Sequence, residues 1–236
     1  GKVFQPTKEG QQPEEITRIA GVLCGNRHGY SPTLHFREED VDVLDAKGAV
    51  EFILRQMRLD LDIDTDSLRF HQPTDDEIEP FAVVGQALDL KQGDTLLGSL
   101  GKIRADVLRG FGIKHDVYYF DLQFDLLCTM KASPKAFSAL PVYPAVKRDI
   151  ALIVPIDVAA GDMVQAIRRS GDALIEDVSL FDVYQGKNIK DGCKSVALSI
   201  TYRSATKTLT EKNVEKSNTK LVSLLTEKFG AHLRDA

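Results

Sequence analysis

Ser195-Val196-Ala197-Leu198-Ser199-Ile200-Thr201-Tyr202-Arg203 alternates large apolar residues with small ones. A period of two is the repeat of a β-strand, whose successive side chains point to opposite faces. The stretch predicts a strand with Val196, Leu198, Ile200 and Tyr202 turned to a core. Ser195, Ala197, Ser199 and Thr201 then face outward. On the N-terminal side, Arg148 to Val154 reads as a strand. Ala160, Met163, Val164 and Ile167 recur at helical spacing up to Gly171, a residue suited to ending a helix. Leu174 to Tyr184 reads as a second strand and Lys187 to Gly192 as a turn. On the C-terminal side, Thr210 is placed to cap a helix running to about Phe229, with Val214, Leu221, Leu224 and Leu225 facing in. A short strand at Ala231 to Arg234 closes the order β-α-β-β-α-β, which is ferredoxin-like.

Upstream of this block, residues 131–144 carry Pro134, Pro141 and Pro144. Proline fixes φ and removes a donor, so this stretch predicts an extended connector between domains, 1–130 and 145–236. Strands dominate residues 1–130: Ile16 to Cys24, Phe81 to Leu88, Thr95 to Leu100 and Val117 to Leu127. In the last of these, Tyr119, Asp121, Gln123 and Asp125 share one face, and Tyr118, Phe120, Leu122, Phe124 and Leu126 the other. Ala46, Val50, Ile53, Leu54 and Met57 form the apolar stripe of one helix from Leu44 to Arg58. A mostly antiparallel sheet flanked by one long helix is an α+β plan.

With 236 residues, 43% hydrophobic and 28% charged, the chain has the balance of a globular protein and not of a disordered one. Its longest apolar runs, such as Ile150 to Ile156, fall far short of the ~20 residues that span a bilayer, so no membrane partner is expected. No secretory signal opens the chain; Gly1-Lys2-Val3-Phe4 reads as an internal cut of a longer polypeptide. Cys24, Cys128 and Cys193 are odd in number and widely spaced, which disfavours disulfides and a zinc site and suits a reducing cytoplasm. Charge divides unevenly. Residues 1–140 hold 16 basic and 23 acidic residues, and residues 141–236 hold 14 and 12. The mildly basic tail permits a polyanionic partner.

Tyr143-Pro144-Ala145-Val146-Lys147-Arg148-Asp149 resembles the opening of the ferredoxin-fold anticodon-binding domain. Leu180-Phe181-Asp182-Val183-Tyr184-Gln185-Gly186-Lys187 with Lys194-Ser195 is similar to its central block, and Lys207-Thr208-Leu209-Thr210 to its last helix start. In bacteria that domain ends the beta subunit of phenylalanyl-tRNA synthetases. Asp45-Ala46-Lys47-Gly48-Ala49-Val50 and Leu97-Gly98-Ser99-Leu100-Gly101 resemble the second half of that subunit's class II synthetase-like core, which is non-catalytic. The resemblance implies a partial synthetase-like antiparallel domain followed by the ferredoxin-like one. It also implies two partners: a phenylalanine-accepting tRNA, and a catalytic alpha subunit in an alpha2-beta2 heterotetramer. ATP and magnesium serve the whole enzyme, and no cofactor is implied for this chain.

The residues agree with a non-catalytic expectation. Class II adenylate chemistry needs two fixed arginines. Phe36-Arg37-Glu38-Glu39 matches one motif, but it follows Ser31-Pro32 in a polar stretch, and Gly110-Phe111-Gly112 leads to no second arginine. Asp60, Asp62, Asp64 and Asp66 alternate like a calcium loop yet lack its glycine and terminal glutamate, so a solvated strand edge is expected and no metal site. His28, His35, His71, His115 and His232 show no ligand spacing.

Candidate RNA contacts gather in the tail. Tyr184 ends a strand beside the basic turn that starts at Gly186-Lys187, the setting of a stacking platform for an unpaired base. By resemblance it occupies the position that stacks on an anticodon base. Tyr184 lies on the opposite parity to Phe181 and Val183, which turns its ring outward. A tyrosine at the core's edge is the alternative, and because Val178 and Leu180 share its parity a bulge would blur the facing. Lys187, Lys190, Lys194, Arg203 and Lys207 lie around the two turns that flank the third strand, as phosphate partners or as a solvated rim. The expected function is anticodon stem-loop binding as part of a phenylalanine–tRNA ligase. The rival is a βαββαβ amino-acid sensing module fused to an inactive synthetase-like domain, although the glycine-rich interface turns of such modules are missing.

Overall fold

The computed structural model describes every residue except 9, 10, 30, 34, 36, 37, 60, 62–67, 136, 138, 235 and 236. The chain divides into two units, Gly1–Ala136 and Phe137–Ala236, and each is a mixed α/β body on an antiparallel sheet.

The first unit contains strands β1 (Lys2–Gln5), β2 (Glu14–Cys24), β3 (Leu68–His71), β4 (Ala82–Gln92), β5 (Thr95–Ile103) and β6 (Val117–Gln123). Their spatial order is β1-β2-β6-β5-β4-β3, antiparallel throughout. Helix α1 (Val43–Gln56) buries Ala46, Val50 and Leu54 against Leu90, Leu97, Leu100, Tyr118 and Leu122. Each large side chain of that stripe contributes about 1.5–3 kcal/mol on leaving water. Short helices α2 (Ala105–Gly110) and α3 (Phe124–Thr129) complete the unit. The alternation predicted to run to Leu127 stops at Gln123, because Asp125 accepts the Thr17 amide at 2.7 Å and the chain turns into α3 there.

The second unit follows the predicted order: β7 (Val146–Pro155), α4 (Ala160–Arg168), β8 (Ile175–Tyr184), β9 (Cys193–Tyr202), α5 (Glu211–Phe229) and β10 (His232–Leu233). The sheet order is β10-β7-β9-β8. Central strand β9 pairs on both sides and turns Val196, Leu198, Ile200 and Tyr202 into one core with Leu152 and Val154 of β7, Met163 and Ile167 of α4, and Val214, Leu221 and Leu225 of α5. Both helices therefore cover one face of the sheet, and neither covers the other. Tyr202 donates to Asn218 Oδ1 at 3.2 Å, and burial, reinforced by the Asp172 charge, pushes its phenol up to about 12.

Helix α1 begins with a reciprocal cap. Asp42 accepts from the Leu44 and Asp45 amides, while Asp45 accepts the Asp42 amide at 2.8 Å and the Arg27 guanidinium at 2.9 Å. Burial alone would raise the Asp45 carboxyl, but Arg27 and the Asp42 amide outweigh it and hold the group below the usual carboxylate range. Its contribution is thus present above its unfolded pKa of about 3.9 and is lost as pH falls through the lower folded value. Asp45→Asn is expected to cost about 1 kcal/mol at pH 7. Urea midpoints of the two proteins should converge as pH drops below about 4. A gap that widens on acidification would contradict this assignment.

Candidate nucleic-acid interface

Strand β8 lies at the sheet edge and pairs only with β9, so its register decides which side chains reach the outer face. Ile175 opposes Tyr202, Asp177 opposes Thr201, Val178 opposes Ile200 and Leu180 opposes Leu198. Asp182 then opposes Ala197, which leaves Phe181 as an extra residue without a partner. Beyond it, Val183 opposes core-facing Val196 and Tyr184 opposes Ser195. An extra residue moves everything after it to the other face. Tyr184 therefore leaves the parity of Val178 and Leu180 and stands on the outer face, 40% exposed.

Two further groups set the ring. Gly186 passes beneath the phenol: a Cβ there would sit 2.2 Å from Tyr184 Oη and 2.5 Å from Cζ. From the opposite edge of the sheet, Arg234 brings its guanidinium carbon to 5.8 Å from the ring centroid. Arg234 follows β10, and its amide donates to the Ala151 carbonyl at 2.9 Å. Between the two edges lie Ser195 and Ala197, both on the outer face yet only 3% and 9% exposed. Arg234 was missed in the sequence because it is fifty residues from Tyr184 and carries no local signal.

The predicted cations separate into two groups. Lys187 and Lys190 are exposed on the β8–β9 loop and have no side-chain partner among the described residues. That loop is pinned by Ile189, which is buried and donates its amide to the Gly186 carbonyl at 2.9 Å. Lys194 lies at the same end but donates to the Ile156 carbonyl at 2.9 Å. Arg203 and exposed Lys207 follow the far end of β9. Arg203 is eight residues beyond Ser195, about 27 Å away along the strand. There Arg203 Nε donates to both carboxylate oxygens of Glu176, at 2.8 and 3.0 Å, and Nη1 to the Tyr143 carbonyl at 2.7 Å. Glu176 is itself an extra residue at the other β8 irregularity, between Ile175 and Asp177. Tyr184, Lys187 and Lys190 thus lie at one end of the sheet. Lys194 is at that end but on the core-facing parity of β9, opposite Val154 and engaged by Ile156, and Arg203 and Lys207 follow the other end.

Of the first unit's candidate chemistry, Phe36, Arg37, Asp60, Asp62, Asp64 and Asp66 lie outside the described residues. Glu39 is engaged by Arg27 at 3.0 Å. Among the described residues, no group of three or more His, Cys, Asp or Glu side chains is gathered to hold a metal ion. The sheet face away from α1 buries polar groups instead. Asp89 is 5% exposed, and burial raises its carboxyl despite Lys91 Nζ at 3.6 Å. Nearby His71 is held below its usual value by burial, then by the Arg69 and Lys91 charges. Tyr119 packs edge-on to Phe81, with ring centroids 4.9 Å apart, and burial pushes its phenol up to about 12.

Residues 141–234 match the family Ferredoxin-fold anticodon binding domain, so the second unit is a ferredoxin-fold domain of that class. Residues 1–124 match the family Phenylalanyl tRNA synthetase beta chain CLM domain. The chain belongs to the phenylalanyl-tRNA synthetase beta-chain family. It is 52% identical over 236 residues to the phenylalanine–tRNA ligase beta subunit of Desulfotalea psychrophila, covering 100% of this chain and 29% of that protein. The subunit from Syntrophotalea carbinolica is 37% identical over 98% of this chain and 28% of its own length. That from Bacillus subtilis is 31% identical over 99% and 28%. The chain spans less than a third of the length of these curated relatives.

The bonding of Arg203 is that of a structural tie. Arg203→Ala is expected to lower stability by about 1–2 kcal/mol, a figure already reduced for partial solvent exposure. Arg203→Lys should recover only part, because one ammonium cannot reproduce the planar fork. Thermal unfolding measures both, and an Arg203→Ala protein as stable as the parent would remove the tie.

Proposed function

We propose that this chain is the C-terminal, anticodon-reading portion of a phenylalanine–tRNA ligase beta subunit. Its second unit, residues 145–236 after a connector at 131–144, binds the anticodon stem-loop of a phenylalanine-accepting tRNA. Its first unit, residues 1–130, is a class II synthetase-like domain without catalytic machinery that packs on the catalytic alpha subunit in an alpha2-beta2 heterotetramer. The whole enzyme attaches phenylalanine to tRNA in the cytoplasm. Its ATP and magnesium are assigned to the alpha subunit or to segments outside this chain. No helix among the described residues is long and apolar enough to cross a membrane.

The observation that carries this proposal is the outward ring of Tyr184 beside Lys187 and Lys190. An aromatic face accepts any unpaired base, and the two ammonium groups neutralise backbone phosphates next to it. Asp149 and Asp182 share that outer face, opposing Ser199 and Ala197, so phosphates are favoured at the lysine-bearing end and not mid-face. The amino-acid sensing alternative is not favoured, because both family matches are to synthetase and anticodon-binding families.

Binding of a synthetic anticodon hairpin across a salt series tests the surface. Tyr184→Ala should cost about 1–3 kcal/mol and leave the salt slope unchanged. Lys187→Ala or Lys190→Ala should instead lower the log–log slope by roughly 0.7 for each lost phosphate contact. If Tyr184→Ala keeps full affinity while its unfolding temperature drops, the ring belongs to the core's edge. For the first unit, the isolated chain should not exchange pyrophosphate into ATP in the presence of phenylalanine. Robust exchange by pure protein would overturn the non-catalytic assignment.

A further inference from the structure

Tyr184 ends edge strand β8 and Arg234 directly follows the opposite edge strand β10, three strand spacings away, or about 14 Å. Their side chains meet above the two central strands, with the guanidinium over the ring at 5.8 Å. That meeting requires low ground beneath it. The outer face supplies Ser195 and Ala197 on β9, and Ala151 on β7 opposite Ala197. Among the described residues, the Arg234 guanidinium makes no ion pair and no side-chain hydrogen bond. A free arginine laid on a tyrosine across an entire sheet costs side-chain entropy, and neither the core nor a carboxylate holds it there.

We propose that Arg234 is a positioning residue of the RNA-reading surface. Its planar guanidinium packs on one face of the Tyr184 ring, which leaves the other face for an unpaired base, and its unused donors point to the backbone of the bound nucleotide. This role rests on the anticodon reading of the second unit and deepens it. Guanidinium is suited to the task because it stacks on rings and offers five donors in a plane, which an ammonium cannot do. Gly186 is the second part of the device. A methyl group there would collide with the phenol and not with backbone, so the fold would tolerate it while the ring moved.

The test uses the whole chain and a synthetic anticodon hairpin. Arg234→Ala is expected to weaken binding about two- to fivefold, the range of an exposed cation–ring contact. Arg234→Lys should stay nearly as weak, because it keeps the charge and loses the plane. In a Tyr184→Ala background, Arg234→Ala should change affinity less than in the parent, since the two residues act as one unit. Gly186→Ala should weaken binding without lowering the unfolding temperature. The chain contains no tryptophan, so Tyr184→Trp adds a single indole, whose quenching by the hairpin should diminish when Arg234 is also replaced.

Wild-type affinity in Arg234→Lys, or equal effects of Arg234→Ala with and without the Tyr184 ring, would overturn the positioning role. If either occurs while Tyr184→Ala still weakens binding, the anticodon reading stands and only the role of Arg234 falls. If the parent chain itself fails to bind the hairpin, the anticodon reading falls and this inference falls with it.

Discussion

Phe181 has no partner across the β8–β9 ladder, and the facing of every β8 residue after it depends on that gap. Side chains in a strand alternate strictly, so one unpaired residue exchanges the inner and outer sets beyond it. Val178, before the gap, is buried among the core residues, and Tyr184, after it, stands on the open face. Without the bulge, the tyrosine would point to the helices and the outer face would lack an aromatic surface. The edge position of β8 is what makes this possible, because an edge strand can bend at a bulge without disturbing a second ladder.

The second irregularity in the same strand has the opposite use. Glu176, freed from pairing, takes both oxygens to Arg203 and converts a basic residue into part of the framework. Cations on this unit are therefore not equivalent. Lys194 and Arg203 spend their donors on carbonyl and carboxylate oxygens within the unit, whereas Lys187, Lys190 and Arg234 keep theirs. A polyanion approaching the outer face meets an aromatic ring at the end of Lys187 and Lys190, while exposed Lys147, opposite Thr201, and Lys207 mark the other end. Composition alone, a small excess of basic residues, does not contain that asymmetry.

In the first unit, the buried polar groups raise the question of what the sheet face was built for. Asp89 and Ser99 are nearly inaccessible, and Asp89 is shielded by Lys91 at a distance too long for a tight pair. Burial at that level disfavours the charged carboxylate, in agreement with the raised pKa direction. That face mixes buried polar groups with exposed ones, Val22 opposite Tyr119 being 70% exposed, while the helix-bearing face holds the apolar core.

Periodicity made the architecture of the second unit legible. The alternation of 195–203, the helical stripe from Ala160 to Ile167 and the Thr210 cap are local consequences of side-chain chemistry, so each element could be placed before its neighbours were known. The identity of Tyr184 as the aromatic candidate was legible for the same reason, as a ring beside a glycine and a basic turn. Its outward direction followed from the parity of Phe181 and Val183 but conflicted with that of Val178 and Leu180, because an unpaired residue changes the facing of a strand without changing its composition. The end of β6 at Gln123 was not legible, since it depends on Asp125 finding the Thr17 amide 108 residues away in the chain. In the second unit, the sequence by itself determined the order of elements, the main core residues and the residue types available to meet RNA; in the first it missed β1, β3, α2 and α3. Only the tertiary structure decided which of those residues share a surface. Strand register and edge-to-edge reach are set by pairing between distant segments, and they brought Arg234 to Tyr184 while sending Arg203 to the other end of β9.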